Sequence, residues 1–152
     1  MLNKDNLRDL IEKVLRDIEA RCKGQKIPFT EEARELLMMV CAHESHLGTY
    51  RKQVGGPALG IFQMEPDTFN DLMENYLKYR PELMALVKGR KPEELVEDDV
   101  LAITMARLLF FRAPESIGKT PEEWAALAKK RYNTVAGKAT AEKYLSDYKK
   151  YA

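Results

Sequence analysis

VLAITMARLLFF, residues 100–111, is the stretch that decides the fold. Val100, Leu101, Ile103, Met105, Leu108, Leu109, Phe110 and Phe111 leave almost no polar face on a helix of this length, and Asp98 or Asp99 stands before it as an N-cap. A helix apolar on nearly all sides is central and buried, so the rest of the chain must cover it.

The cover is helical too. Leu7, Leu10, Ile11, Val14, Leu15 and Ile18 recur at helical spacing over 3–21, and Gly24 and Pro28 punctuate the end. Thr30 caps a second helix, with Glu31 and Glu32 in its first turn. That helix carries Leu36, Leu37, Val40 and Cys41 and is expected to stop near Gly48. Pro66 opens a third helix expected to reach about Tyr79, and 81–88 forms a short fourth. Thr120-Pro121-Glu122-Glu123 is a capping box before Trp124, Leu127 and Ala128. Thr140 caps a last helix whose apolar-aromatic stripe is Tyr144, Leu145, Tyr148 and Tyr151. Gly55, Gly56, Pro57 and Gly60 break any helix, so 50–63 is a short irregular or hairpin region. The expectation is a mostly α fold forming one domain over 1–152, with segment 1–24 as an N-terminal helix packed on it.

The composition excludes several classes. The 45% apolar fraction is that of a globular chain, and 25 basic against 24 acidic residues give a net charge of +1, so nucleic acid is not an expected partner. No run approaches the roughly 20 apolar residues of a membrane span. The charged N-terminus lacks the pattern of a signal peptide, and synthesis in the cytoplasm follows as an expectation. Cys22 and Cys41 form no disulfide framework, and Cys41 falls on an apolar face as a buried free thiol.

One residue breaks the pattern of the second helix. Leu37, Cys41 and Glu44 share a face, so Glu44 continues the buried stripe at the helix end. Either the helix is leaving the core there and Glu44 meets water, or the carboxylate is partly buried. In the second case burial and the negative end of the helix both favour the protonated form. General acid catalysis on a glycosidic oxygen needs such a group.

Further residues extend this. Glu44-Ser45, then Ala58-x-Gly60-Ile61-Phe62-Gln63, then Pro66-x-Thr68 resembles the lysozyme-like lytic transglycosylases, whose pattern is Glu-Ser, a loop ending in Gly-Leu-Met-Gln, and Pro-x-Thr opening a helix. Tyr132-Asn133 followed by Gly137 resembles the family's Tyr-Asn-x-Gly element, with Thr134-Val135-Ala136 intervening. The resemblance spans roughly 30–144. It implies a lysozyme-like helical domain that cleaves the bond between N-acetylmuramic acid and N-acetylglucosamine in peptidoglycan. Glu44 would be acid and then base, closing a 1,6-anhydro ring. Ser45 and Gln63 would position sugar and glutamate, the backbone of Gly60, Ile61 and Phe62 would contact N-acetyl groups, and Tyr132 and Asn133 would line the cleft, the tyrosine hydroxyl orienting the carboxylate. Tyr50, Phe62 and Tyr132 offer faces for a sugar. Such an enzyme, made without a signal peptide, acts on the wall after release, export or virion delivery, as phage lysis proteins do.

Goose-type lysozymes share the motif and carry an aspartate where Glu65 stands, so Glu65 is a candidate second carboxylate for a hydrolase. Its plainer role is a negative charge at a helix N-terminus, and Asp67 could serve there as N-cap. His43 and His46 are three apart rather than the four of a zinc-protease motif, so no metal and no cofactor is expected. The runs Lys129-Lys130-Arg131 and Lys149-Lys150 fit a solvated face. The expected state is a monomer. A non-catalytic glycan-binding or virion structural module is the rival reading of another class.

Overall fold

The computed structural model describes residues 1–133 and 138–152. Among them are seven α-helices: α1 (Lys4–Arg21), α2 (Glu31–Ser45), α3 (Pro66–Asn75), α4 (Pro81–Met84), α5 (Asp99–Arg112), α6 (Pro121–Arg131) and α7 (Ala141–Tyr151). No strand occurs among the described residues.

Side-chain caps set most of the starts. Asn3, Thr30, Asp98, Thr120 and Thr140 each accept a backbone N–H three residues on, satisfying a donor that the first turn leaves free. Helix α5 is buried without interruption from Leu101 to Phe110. Its two polar members are accommodated locally. Thr104 donates to the Val100 carbonyl at 2.8 Å, and Arg107, with its guanidinium 5.8 Å from the Phe111 ring, has its pKa pulled down to about 10 by burial. Val100, expected in the apolar set, is 50% exposed because it sits in the first turn, ahead of the cover.

Helix α2 is as central as α5. Leu36 to Ala42 are all buried, so the core surrounds it rather than touching one face. Helices α1, α5, α6 and α7 pack on α2. A polar clamp ties three of them: Glu35 on α2 accepts from Arg8 of α1 at 3.0 and 2.9 Å and from the Tyr148 hydroxyl of α7 at 2.7 Å.

Three boundaries differ from the sequence expectation. Helix α2 stops at Ser45 because His46 and Leu47 turn left-handed (φ 49° and 54°) ahead of Gly48 (φ 81°). Helix α3 stops at Asn75, and a 3-10 turn covers Leu77–Tyr79. Helix α4 is one turn only, and Asp67 lies in the first turn of α3 rather than at its cap. Pro81 sets the break ahead of α4: the residue before a proline is pushed out of the helical region, and Arg80 has φ −133° and ψ 81°.

Candidate active site

Glu44 is the penultimate residue of α2, on the rim of the core that the helix occupies. Ser45 beside it is fully buried. Its hydroxyl donates to the Ile61 carbonyl at 2.6 Å and accepts the Gly48 N–H at 2.8 Å. Consecutive residues of one helix thus present the carboxyl group and anchor the loop next to it.

That loop is a narrow hairpin-like excursion closed by two isolated bridges, Lys52 with Leu59 and Leu59 with Met64. Gly60 is obligatory within it. It has φ +80°, and a Cβ there would come within 2.4 Å of the Leu95 carbonyl oxygen. The carbonyls of Gly60, Ile61 and Phe62 are all taken. Gly60 O accepts the Gln63 side-chain amide at 2.8 Å, Ile61 O accepts Ser45, and Phe62 O accepts the Tyr132 hydroxyl at 2.5 Å. Gln63 also donates to the Tyr50 carbonyl at 3.0 Å and itself has a left-handed backbone (φ 47°).

Between this loop, the start of α3 and the end of α6 lies a cleft of about 560 Å³. Glu44 opens into it together with Gln63, Glu65, Tyr132 and Asn133. Burial pushes the Glu44 carboxyl up to about 7, against the opposing effect of one hydrogen bond. That bond comes from Tyr144 of α7, whose hydroxyl donates to Glu44 Oε2 at 2.6 Å. Oε1 has no protein partner among the described residues. Tyr144 occupies Oε2, which leaves Oε1 as the oxygen that can meet a ligand. Burial, and then the nearby Glu44 charge, push the Tyr144 and Tyr132 hydroxyls above their ordinary range, so both remain donors.

The site therefore differs in part from what the resemblance implies. Glu44, Gln63, Tyr132, Asn133 and Glu65 come together in the cleft. The carboxylate is oriented by Tyr144, not Tyr132, because the Tyr132 hydroxyl is spent on Phe62 O. Ser45 holds the loop and is too deep to meet a sugar. Ile61 and Phe62 are buried side chains, and the close approach that Gly60 permits is filled by Leu95. Tyr50 is 47% exposed but lies outside the cleft, its ring edge-on to His46 at 5.4 Å. Glu65 is exposed at the cleft edge. Gly137, with Thr134 to Ala136, lies outside the described residues. Gln53, Ala58, Met64, Thr68, Leu109 and Lys138 also line the cleft without having been singled out as candidates.

His43 binds Asp147 through Nδ1 at 2.8 Å, and His46 stacks on Tyr151 with centroids 4.7 Å apart, so the two rings serve the α2–α7 contact. Among the described residues no group of three His, Cys, Asp or Glu could hold a metal ion. Cys22 and Cys41 are buried and free, and burial pushes the Cys41 thiol up to about 12. Lys130 and Arg131 are paired with Glu115 at 2.9 and 2.6 Å. No helix among the described residues is long and apolar enough to cross a membrane. Comparison with protein families, curated proteins and solved structures finds no match to this chain.

Proposed function

We propose that the chain is a lytic transglycosylase of the lysozyme-like kind, cleaving the glycan strands of bacterial peptidoglycan with Glu44 as its acid and base. One observation carries the reading: a glutamate pushed to about 7 by burial, opening into a cleft with one oxygen unpartnered among the described residues. The order of Glu44-Ser45, Gly60 to Gln63 and Tyr132-Asn133 in the sequence supports the same family.

The reaction needs nothing beyond the sugar. Glu44 donates its proton to the oxygen bridging N-acetylmuramic acid and N-acetylglucosamine. The C1–O bond breaks, and the N-acetylglucosamine part leaves as an alcohol. The muramic C6 hydroxyl attacks C1, and Glu44, now a carboxylate, takes the hydroxyl proton. The product is a 1,6-anhydro ring, and the acid is restored. Tyr144 serves the second half, because a hydrogen bond to a charged acceptor is stronger than one to a neutral acid. Gln53, Asn133 and Thr68 supply polar edges for the sugars, and Leu109 and Tyr132 supply apolar faces. The enzyme would reach the wall after release, export or virion delivery.

A second reading has its own observation: Glu65 shares the cleft with Glu44. A water activated there would make the enzyme a hydrolase. Digestion of purified peptidoglycan, followed by mass spectrometry, tests both. Anhydromuramic ends are the expected product, and reducing ends favour the hydrolase. Glu44→Gln is expected to lower turnover by about 100-fold or more. Undigested peptidoglycan with the native chain and with Glu44→Gln alike, both still binding it, sinks the enzyme in favour of a glycan-binding module.

A further inference from the structure

Helix α7 meets α2 and the residue just after it at four rungs. Tyr144, Asp147, Tyr148 and Tyr151 follow the i, i+3, i+4, i+7 spacing of one helix face. They touch Glu44, His43, Glu35 and His46 in turn. Three of the four are tyrosines. The fourth is an aspartate only 2% exposed, at a depth where a carboxylate is costly unless well partnered.

Its partners make a chain that ends on the candidate acid. Asp147 Oδ1 accepts from Lys143 Nζ at 3.1 Å, and Oδ2 takes His43 Nδ1 at 2.8 Å. A carboxylate accepts, so the imidazole carries its hydrogen on Nδ1, and its plane is held. That imidazole lies against the Tyr144 ring, with centroids 4.1 Å apart and planes 42° to each other. The Tyr144 hydroxyl then donates to Glu44. Fastening α7 does not require this arrangement, since Tyr148 on Glu35 of α2 and Tyr151 on His46, just after α2, also hold it. A buried charged group is also a weak stabiliser beside an apolar side chain of similar volume. What Asp147 adds is orientation.

We propose that Asp147 and His43 are positioning residues for Glu44, on the reading of Glu44 as the acid: Asp147 fixes the imidazole, and the imidazole fixes the tyrosine whose hydroxyl binds the carboxyl group. Around Glu44 the titrating groups are Tyr144 from α7, Tyr132 after α6, and Glu65 and Lys138 in the same cleft. Around His43 they are Asp147 and Lys143 from α7 and His46 just after α2.

The test follows the Glu44 side-chain carbon by NMR in the full chain, titrated from about pH 4 to about pH 10. Tyr144→Phe removes the one donor to Glu44 among the described residues, which opposes the effect of burial, so the midpoint is expected to rise by about one pH unit. His43→Ala is expected to reproduce most of that rise, and Asp147→Asn a smaller rise in the same direction. The double variant His43→Ala/Tyr144→Phe should rise no further than Tyr144→Phe, because both act through one contact. A midpoint unmoved in both His43→Ala and Asp147→Asn overturns the assignment, and so does a rise in the double variant that adds in full to that of Tyr144→Phe. A merely structural role lowers Tm and leaves the midpoint in place. If His43→Ala does not fold, Asp147→Asn decides alone, by the presence or absence of the rise. In strand digestion the variants should lower kcat and keep KM. Native protein that leaves peptidoglycan intact sinks the functional reading, whereas the titration judges the positioning on its own.

Discussion

Replacing Glu44 by glutamine should stabilise the protein, and only at the upper end of the pH range. The carboxyl holds its proton up to about 7 in the folded chain, against its ordinary 4.5. Below 4.5 it is protonated in both folded and unfolded chains, and the contribution it makes to stability is fully present. As pH rises from 4.5 to about 7, the unfolded chain releases the proton while the folded one keeps it, so that contribution is progressively lost. Each pH unit of that window is worth about 1.4 kcal/mol, which brings the loss above the window to about 3 kcal/mol. Glutamine is neutral throughout and still offers an oxygen to the Tyr144 hydroxyl. Glu44→Gln and the native chain should therefore unfold alike near pH 4, whereas near pH 8 the variant should be more stable by about 3 kcal/mol, or about 6–12 °C in Tm for a chain of this size. Thermal melts followed by circular dichroism at the two pH values measure it. A difference between the two proteins that stays constant with pH would refute the claim that burial holds the proton on Glu44.

Gly60→Ala should cost about 3 kcal/mol in denaturant unfolding, because it combines a left-handed backbone with a backbone clash, whereas Gly55→Ala, also left-handed but with nothing nearby, should cost about 1 kcal/mol. Equal losses at the two glycines would show that Leu95 does not press on the loop. Ser45→Ala leaves the Ile61 carbonyl and the Gly48 N–H without their partner and should lower stability by about 2 kcal/mol. A change confined to KM, with stability intact, would instead make Ser45 a sugar contact. Glu65→Gln should leave anhydromuramic ends as the product of strand digestion; loss of turnover by about 100-fold would assign the water-activating role to Glu65.

The helical frame was legible because its signals are local. Thr30, Asp98, Thr120 and Thr140 cap their helices through bonds that reach three residues, and a sequence displays that spacing directly. Glu44 was legible for a related reason, as a charge on an apolar stripe. The donor to it was not. Tyr144 sits 100 positions away and looks like one more member of a core stripe, while Tyr132 stands in a motif that promises the same role. Only packing shows that Tyr132 is already committed to Phe62. Asp147 carries the same kind of signal as Glu44, a charge on the inward stripe of its helix, here between tyrosines. The glycine requirement at 60 could be read as a close approach, but its partner, Leu95, belongs to a segment with no motif.

The loop that borders the cleft has one part that answers to nothing. Val54 at its tip is 87% exposed, and the space beside Gly55 is empty. The first bridge, Lys52 with Leu59, closes the loop beneath that tip, and Gln53 and Ala58, just inside it, line the cleft. Extra residues inserted at 55 would lengthen a wall of the groove without shifting Ser45, Gly60 or Glu44. The tip is thus a free variable for evolution or engineering: the shape of the groove can drift there while the Glu44 end of it stays put.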